Sequence, residues 1–454
     1  MRCAARARGA RRGVAPLAAT PRRGAAAAAG AKKAPGEAPR VAMCAASPPH
    51  PRAHGGHSLT DSTSPPPARS AGVTGAVGQE FLKVRRRGTR SPPNPAHQQT
   101  PPASSPVQSG AANGRHARLL IRFADAPGPA PASPQKVLKE RDFPYSEMKM
   151  LASARSAGRT YEFDGAEYTV EELTAESFDD VDIALFSAGG SISKEFGPIA
   201  AEKGCIVVDN SSAFRMTDGV PLVIPEVNPD AAAGMKWGQG GGIIANPNCS
   251  TIIALMAVTP LHRANPVKRM VVSTYQAASG AGQAAMDELE LQTKEVLEGK
   301  ECTKEIFPFQ YAFNLFSHNS PMTGNGYNEE EMKMVNETKK IWGTEDIKIT
   351  ATCIRVPVMR AHAESINLEF AEAMDEAQAK EILAGGEGVS LIDNRADNRF
   401  PTPLDASFND DVYVGRIRND VSNDQGTGLD LFVCGDQIKK GAALNAVQCA
   451  ELVL

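Results

Sequence analysis

A chain of 454 residues with a net charge of -3 has room for two domains, each with its own core. Beyond about Lys139 both charge signs are interspersed without a basic stripe, which argues against a nucleic-acid surface. No apolar run approaches the roughly 20 residues that span a bilayer, so a soluble protein is expected.

Residues 1 to about 60 are rich in Ala, Arg, Gly and Pro, and Glu37 is their only acid. A basic, acid-poor leader without a compact apolar core predicts a disordered transit peptide and import into a plastid, otherwise a mitochondrion. The next segment, 61–248, reads as a nucleotide-binding domain. Gly72-Val73-Thr74-Gly75-Ala76-Val77-Gly78 predicts a turn opening a helix, where a pyrophosphate can approach backbone N–H groups. Met148 to Ser153, Val181 to Phe186, Cys205 to Asp209 and Gly242 to Ala245 are short apolar runs separated by helical patterns. That alternation predicts a parallel sheet.

Two features fit this domain badly. A strand should precede Gly72, yet Pro65, Pro66 and Pro67 stand there, and prolines cannot serve in a central strand. The first strand is therefore expected to be missing or displaced. The stretch at about 85–137, crowded with Pro, Ser, Arg, Gln and Ala, interrupts the first helix; deleting it joins Phe81-Leu82-Lys83-Val84 to Leu138-Lys139-Glu140 as one amphipathic helix. It reads as translated non-coding sequence or a disordered insertion, and its apolar patch Leu119 to Phe123 is not expected to fill the vacant strand position.

In the segment 249–430 the pattern changes. Lys268 to Tyr275, Ile347 to Arg355 and Glu364 to Phe370 predict strands, and Ala284 to Leu297 and Asn328 to Trp342 predict helices. The expected fold class is α/β: a Rossmann-type nucleotide-binding domain plus an α+β catalytic and dimerisation domain, preceded by a disordered N-terminal region. The tail, 431–454, predicts a last helix that returns to the nucleotide domain.

The eight cysteines are scattered, with no CxxC pair and no His/Cys cluster, so neither a metal site nor a disulfide framework is expected. One of them has a distinctive context. In Asn246-Pro247-Asn248-Cys249-Ser250-Thr251 a strand tail gives way through a turn to a helix start. Unpaired N–H groups and the positive end of the helix dipole favour thiolate there, which predicts a nucleophile with a lowered pKa.

The chain resembles the aspartate-semialdehyde dehydrogenase family. The resemblance rests on the glycine turn at 72, Ser153-Ala154-Arg155-Ser156-Ala157-Gly158, Asn210-Ser211-Ser212-Ala213-Phe214-Arg215 and the Cys249 run. It extends through Ser273-Thr274-Tyr275-Gln276, Asn328-Glu329-Glu330-Glu331-Met332-Lys333, Arg355-Val356-Pro357-Val358-Met359-Arg360-Ala361-His362 and Gly435-Asp436-Gln437. It implies NADPH-dependent reduction of aspartyl β-phosphate to aspartate β-semialdehyde and phosphate, in lysine, threonine, methionine and isoleucine biosynthesis, by a homodimer.

The same resemblance implies roles for single residues. Cys249 would be the nucleophile, His362, placed in a loop beside Arg355 and Arg360, the general acid/base, and Gln276 the residue that orients the substrate. Arg215 and Lys333 would bind phosphate, Arg355 the α-carboxylate and Glu330 the ammonium group, with Asn248 also at the substrate. Gly72, Thr74, Gly75, Ala76, Val77, Gly78, Ser279, Gly280 and Gln437 would contact the cofactor. Where an NAD enzyme carries an acid for the ribose hydroxyls, this chain has Ser153, Arg155 and Ser156, which suit a 2′-phosphate and predict NADP(H). Two alternatives stay open: another acyl-phosphate reductase such as N-acetyl-γ-glutamyl-phosphate reductase, and a catalytically impaired or misassembled product of the same family.

Overall fold

A computed structural model describes residues 117–122 and 134–454. In chain order the first sheet is built from β1 (Ala117–Arg122), β2 (Tyr145–Ala152), β3 (Thr160–Phe163), β4 (Ala166–Glu172), β5 (Ile183–Phe186), β6 (Ile206–Asp209) and β7 (Gly242–Ala245). Two helices belong to this part, α1 (Pro134–Glu140) before β2 and α2 (Gly190–Glu202) before β6. The strand order is β3-β4-β2-β1-β5-β6-β7, parallel except for the β3–β4 hairpin. β5 and β6 are buried along their whole length, as strands covered on both faces must be.

The first strand corrects the reading of 85–137. Ala117–Arg122 lies inside that stretch, yet it occupies the central position, hydrogen-bonded to β2 on one side and β5 on the other. Leu119 is buried in the core. A short apolar run that finds two parallel neighbours satisfies its backbone on both sides, and this outweighs the Pro-rich flanks. Residues 134–137 likewise form the first turn of α1, where Val137 and Leu138 are buried. The glycine turn at 72–78 and the fragment Phe81 to Val84 lie outside the described residues.

The second sheet follows α3 (Cys249–Ala264), which is apolar on nearly every face because it is enclosed by both halves of the molecule. It comprises β8 (Val267–Gln276), β9 (Phe316–Ser317), β10 (Lys348–Arg355), β11 (His362–Phe370), β12 (Val389–Leu391), β13 (Val412–Asn419) and β14 (Gly428–Gly435), in the order β12-β13-β14-β11-β8-β10-β9. The sheet is mixed: β8 and β10 run parallel, β8 and β11 antiparallel. One face packs on α3 and α5 (Glu329–Trp342); α4 (Gln283–Leu297), α6 (Glu376–Ala384) and α7 (Pro403–Ala406) complete this half. On the opposite face Tyr275, Tyr413 and Phe432 surround the buried Ala363 and Cys434. The chain closes with a π-helical turn, Lys439–Ala443, and α8 (Leu444–Glu451), whose apolar side joins the core of the first sheet.

Candidate active site

β1 has β2 on one side and β5 on the other, so the chain winds outward in both directions from the middle of the first sheet. In open parallel sheets the crevice beyond the carboxyl ends of the strands at such a switch point is where ligands bind. A cavity of about 490 Å³ lies there. Its walls include Ser187, Gly189 and Gly190 after β5, Asn210 after β6, and Asn248 and Cys249 after β7. Gly189, at φ 86°, opens α2 without a side-chain cap.

Asn248 organises the thiol. It caps α3, its Oδ1 accepting the N–H groups of Ser250 at 3.0 Å and Thr251 at 3.3 Å. Its own N–H donates to Glu337 Oε2 at 2.6 Å, and its Nδ2 donates to Glu330 Oε1 at 2.8 Å. Cys249 is thereby held as the first helical residue. On its far side a Cβ on Gly441 would approach Cys249 Cβ to 3.0 Å, so the π-helical turn needs glycine to pass this close.

The charge on that thiol differs from expectation. Burial pushes Cys249 up to about 12, Glu330 adds to the rise, and Arg215, Arg355 and Lys333 oppose it. This arrangement favours the thiol over the thiolate, with the residue half-buried at the cavity wall. The helix amides of residues 250 and 251, on which the thiolate reading relied, are already engaged by the Asn248 side chain.

α5 brings Glu330 and Lys333 to the same cavity, 2.9 Å apart. Burial works against the Glu330 charge, yet Lys333 keeps the carboxyl well below its ordinary range. Gln276 ends β8, with its Nε2 donor group within reach of Ser250 Oγ at 3.2 Å and Glu330 Oε1 at 3.3 Å. Arg355 ends β10 directly beside it in the parallel register, reaching the Ala277 carbonyl at 3.3 Å. Arg215 stands across the cavity, locked by the carbonyls of Asn246 at 2.8 Å and Asn210 at 3.2 Å and by Glu337 at 3.1 Å.

His362 is not in a loop. It is the first residue of β11, fully buried, and it is not among the residues lining the cavity. It sits behind Gly280, where an added Cβ would come within 3.0 Å of Nε2. Its Nδ1 accepts the Ala277 N–H at 3.0 Å, which places the proton of the neutral ring on Nε2, and that nitrogen has no partner among the described residues. Burial, reinforced by Arg355, depresses the imidazole to about 3.

Of the expected cofactor contacts, Ser279, Gly280 and Gln437 line the cavity, and Gln437 bridges Ser279 Oγ and the Ala361 N–H. Ser153, Arg155 and Ser156 follow the carboxyl end of β2, outside the cavity; Arg155 is exposed and Ser156 is buried. Gly72, Thr74, Gly75, Ala76, Val77 and Gly78 lie outside the described residues. Two side chains at the site were not anticipated. His318 lines the cavity, its Nδ1 accepting the Ser320 N–H, and burial depresses it to about 3. Glu337 lies seven residues after Glu330 on the same helix face, and that spacing was the available signal.

A thiol at a helix start, flanked by fixed cations and a carboxylate beside a doubly wound sheet, defines a semialdehyde dehydrogenase type of site. Family models agree: "Semialdehyde dehydrogenase, NAD binding domain" matches residues 134–235, and "Semialdehyde dehydrogenase, dimerisation domain" matches residues 258–440. Aspartate-semialdehyde dehydrogenase of Synechocystis is 53% identical over 74% of this chain and 97% of its own length. That of Aquifex aeolicus is 50% identical over 70% and 93%. The crystal structure of aspartate semialdehyde dehydrogenase II from Vibrio cholerae, complexed with ASA, superimposes with a TM-score of 0.70 at 43% identity, covering 74% of this chain and 98% of that one. The chain belongs to the aspartate-semialdehyde dehydrogenase family.

Proposed function

We propose that the chain reduces L-aspartyl 4-phosphate to L-aspartate 4-semialdehyde and phosphate with NADPH, through a thioester on Cys249. The observation that carries this reading is the distribution of charge around the thiol. Arg215 and Lys333 suit the phosphate, Arg355 suits a carboxylate, and Glu330 suits the ammonium group.

In the first step the sulfur–carbon bond forms and the carbon–oxygen bond to phosphate breaks. With Cys249 neutral and the His362 proton already on Nε2, the departing phosphate is the acceptor for the thiol proton, and Arg215 and Lys333 offset its charge. Gln276 and Asn248 fix the substrate against the sulfur. The uncapped start of α2 at Gly189 and the close approach allowed by Gly280 fit a dinucleotide along the carboxyl edge of the first sheet. A nicotinamide bound there would supply hydride to the thioester carbon; the carbon–sulfur bond would then break, the semialdehyde leaving and the Cys249 sulfur taking a proton from water. His362, just behind Gly280 on the cavity wall, is the side chain whose Nε2–H would donate to the oxygen on that carbon and steady its developing charge, which requires the Gly280 backbone to give way.

The exposed Arg155 after β2 supports a 2′-phosphate and hence NADP(H). The aromatic outer face of the second sheet supports a homodimer. The basic, acid-poor segment 1–60 supports plastid or mitochondrial import. Steady-state assays with aspartyl phosphate and N-acetylglutamyl phosphate test the substrate. The acylated amine leaves Glu330 without a cation from the substrate, so turnover is expected with aspartyl phosphate; preference for the acetylated compound refutes the reading.

A further inference from the structure

Glu337 is 1% exposed, and both of its carboxylate oxygens are engaged by residues that line the cavity. Oε1 accepts from Arg215 Nη1 at 3.1 Å and Oε2 accepts the Asn248 N–H at 2.6 Å. The two donors have different duties. Arg215 lines the cavity, and Asn248 is the residue whose cap sets the start of α3 and the position of Cys249. One carboxylate on α5 thus ties the phosphate-facing guanidinium to the turn that carries the thiol.

We propose that Glu337 is a positioning residue for the reaction, holding Arg215 and the Cys249 turn in fixed relation so that an acyl phosphate meets cation and sulfur together. This rests on the assignment of Arg215 to phosphate. Arg215 has its Nε on the Asn246 carbonyl and its Nη2 on the Asn210 carbonyl, both in loops after strands of the first sheet. Glu337 supplies the third restraint, from the opposite half of the molecule. A planar guanidinium held at three nitrogens still keeps N–H groups for a ligand, and it keeps them in a set direction. Burial raises the Glu337 carboxyl above its ordinary value while Arg215 and the Asn248 amide draw it back. An uncharged isostere offers one acceptor where the carboxylate offers two, so it cannot hold both partners.

The test is protection of Cys249 from iodoacetamide by inorganic phosphate, read by peptide mass spectrometry on the full chain, so that no turnover is needed. In E337Q the phosphate midpoint is expected to rise about tenfold or more, and the Michaelis constant for phosphate in the oxidative direction to rise with it, while that for the nucleotide changes by less than about twofold. In an Arg215→Lys background the same substitution is expected to move the midpoint by less than about twofold, because the guanidinium through which Glu337 acts on phosphate is then absent and coupled residues are non-additive. A midpoint unchanged in E337Q, or a full effect retained in the Arg215→Lys background, overturns the inference. Should E337Q fail to fold, E337D, which withdraws the carboxylate by one methylene, is read by the same two outcomes. Absence of phosphate protection in the unaltered protein refutes the Arg215 assignment and this inference with it. Protection there, with E337Q unmoved, refutes this inference alone.

Discussion

Asn248 Nδ2 donates to Glu330 Oε1 at 2.8 Å while the other end of the same amide caps α3, so the substrate-facing carboxylate and the nucleophile's helix are joined through one side chain. Removing that amide separates them. Asn248→Ala should cost about 1 kcal/mol of stability, the usual value of an N-cap, and roughly a hundredfold in turnover. Thermal melts and steady-state rates measure the two effects; a loss of stability without a loss of turnover contradicts the coupling.

A neutral resting thiol has a kinetic signature. Because Cys249 is pushed up to about 12, its thiolate fraction should grow about tenfold per pH unit throughout the neutral range. Iodoacetamide labelling of the free protein should therefore climb without levelling between about pH 6 and 9. A plateau reached below neutrality would show a thiolate already formed and restore the helix-start expectation.

Glu364 lies on β11, two residues beyond His362, with neither carboxyl oxygen partnered among the described residues. Burial raises it well above its ordinary value. A raised carboxyl contributes most to stability below its unfolded pKa, about 4.3, and that contribution declines as pH rises toward its folded value. Glu364→Gln removes this dependence, so the unfolding free energy of the variant relative to the parent, read by denaturant titration, should grow in favour of the variant as pH rises above about 5, with a limiting slope of about 1.4 kcal/mol per unit. A difference independent of pH would place an ionised carboxylate there.

Cofactor choice is tested at the end of β2. Arg155→Asp replaces a cation with the acid that suits free ribose hydroxyls, so the NADPH Michaelis constant should rise by about tenfold or more relative to that for NADH. An unchanged ratio would remove Arg155 from the 2′-phosphate site.

The parts of this site legible from the sequence were those set by local chemistry. The Asn246-Pro247-Asn248 turn announces a helix start, and α3 begins at Cys249; Glu330 and Lys333, three apart, share a face of α5. What depended on distant neighbours was not legible. Ala117–Arg122 becomes a central strand only because β2 and β5 flank it, and nothing in its Pro-rich surroundings announces that. The upward push on the Cys249 thiol comes from partial burial at the cavity wall and from Glu330, while Asn248 takes the amides that a local reading assigns to sulfur. His362 was readable as a residue but not as the buried start of β11, since its pairing with Gly435 joins positions far apart in the chain.

The central claim is that Cys249 carries the acyl group. Mixing the protein with aspartyl phosphate in the absence of reductant, quenching in acid and mapping peptides by mass spectrometry should show one aspartyl group on the Cys249 peptide, released as semialdehyde when NADPH is added before the quench and absent from Cys249→Ser. No adduct at Cys249, or turnover retained by Cys249→Ser, would contradict the account.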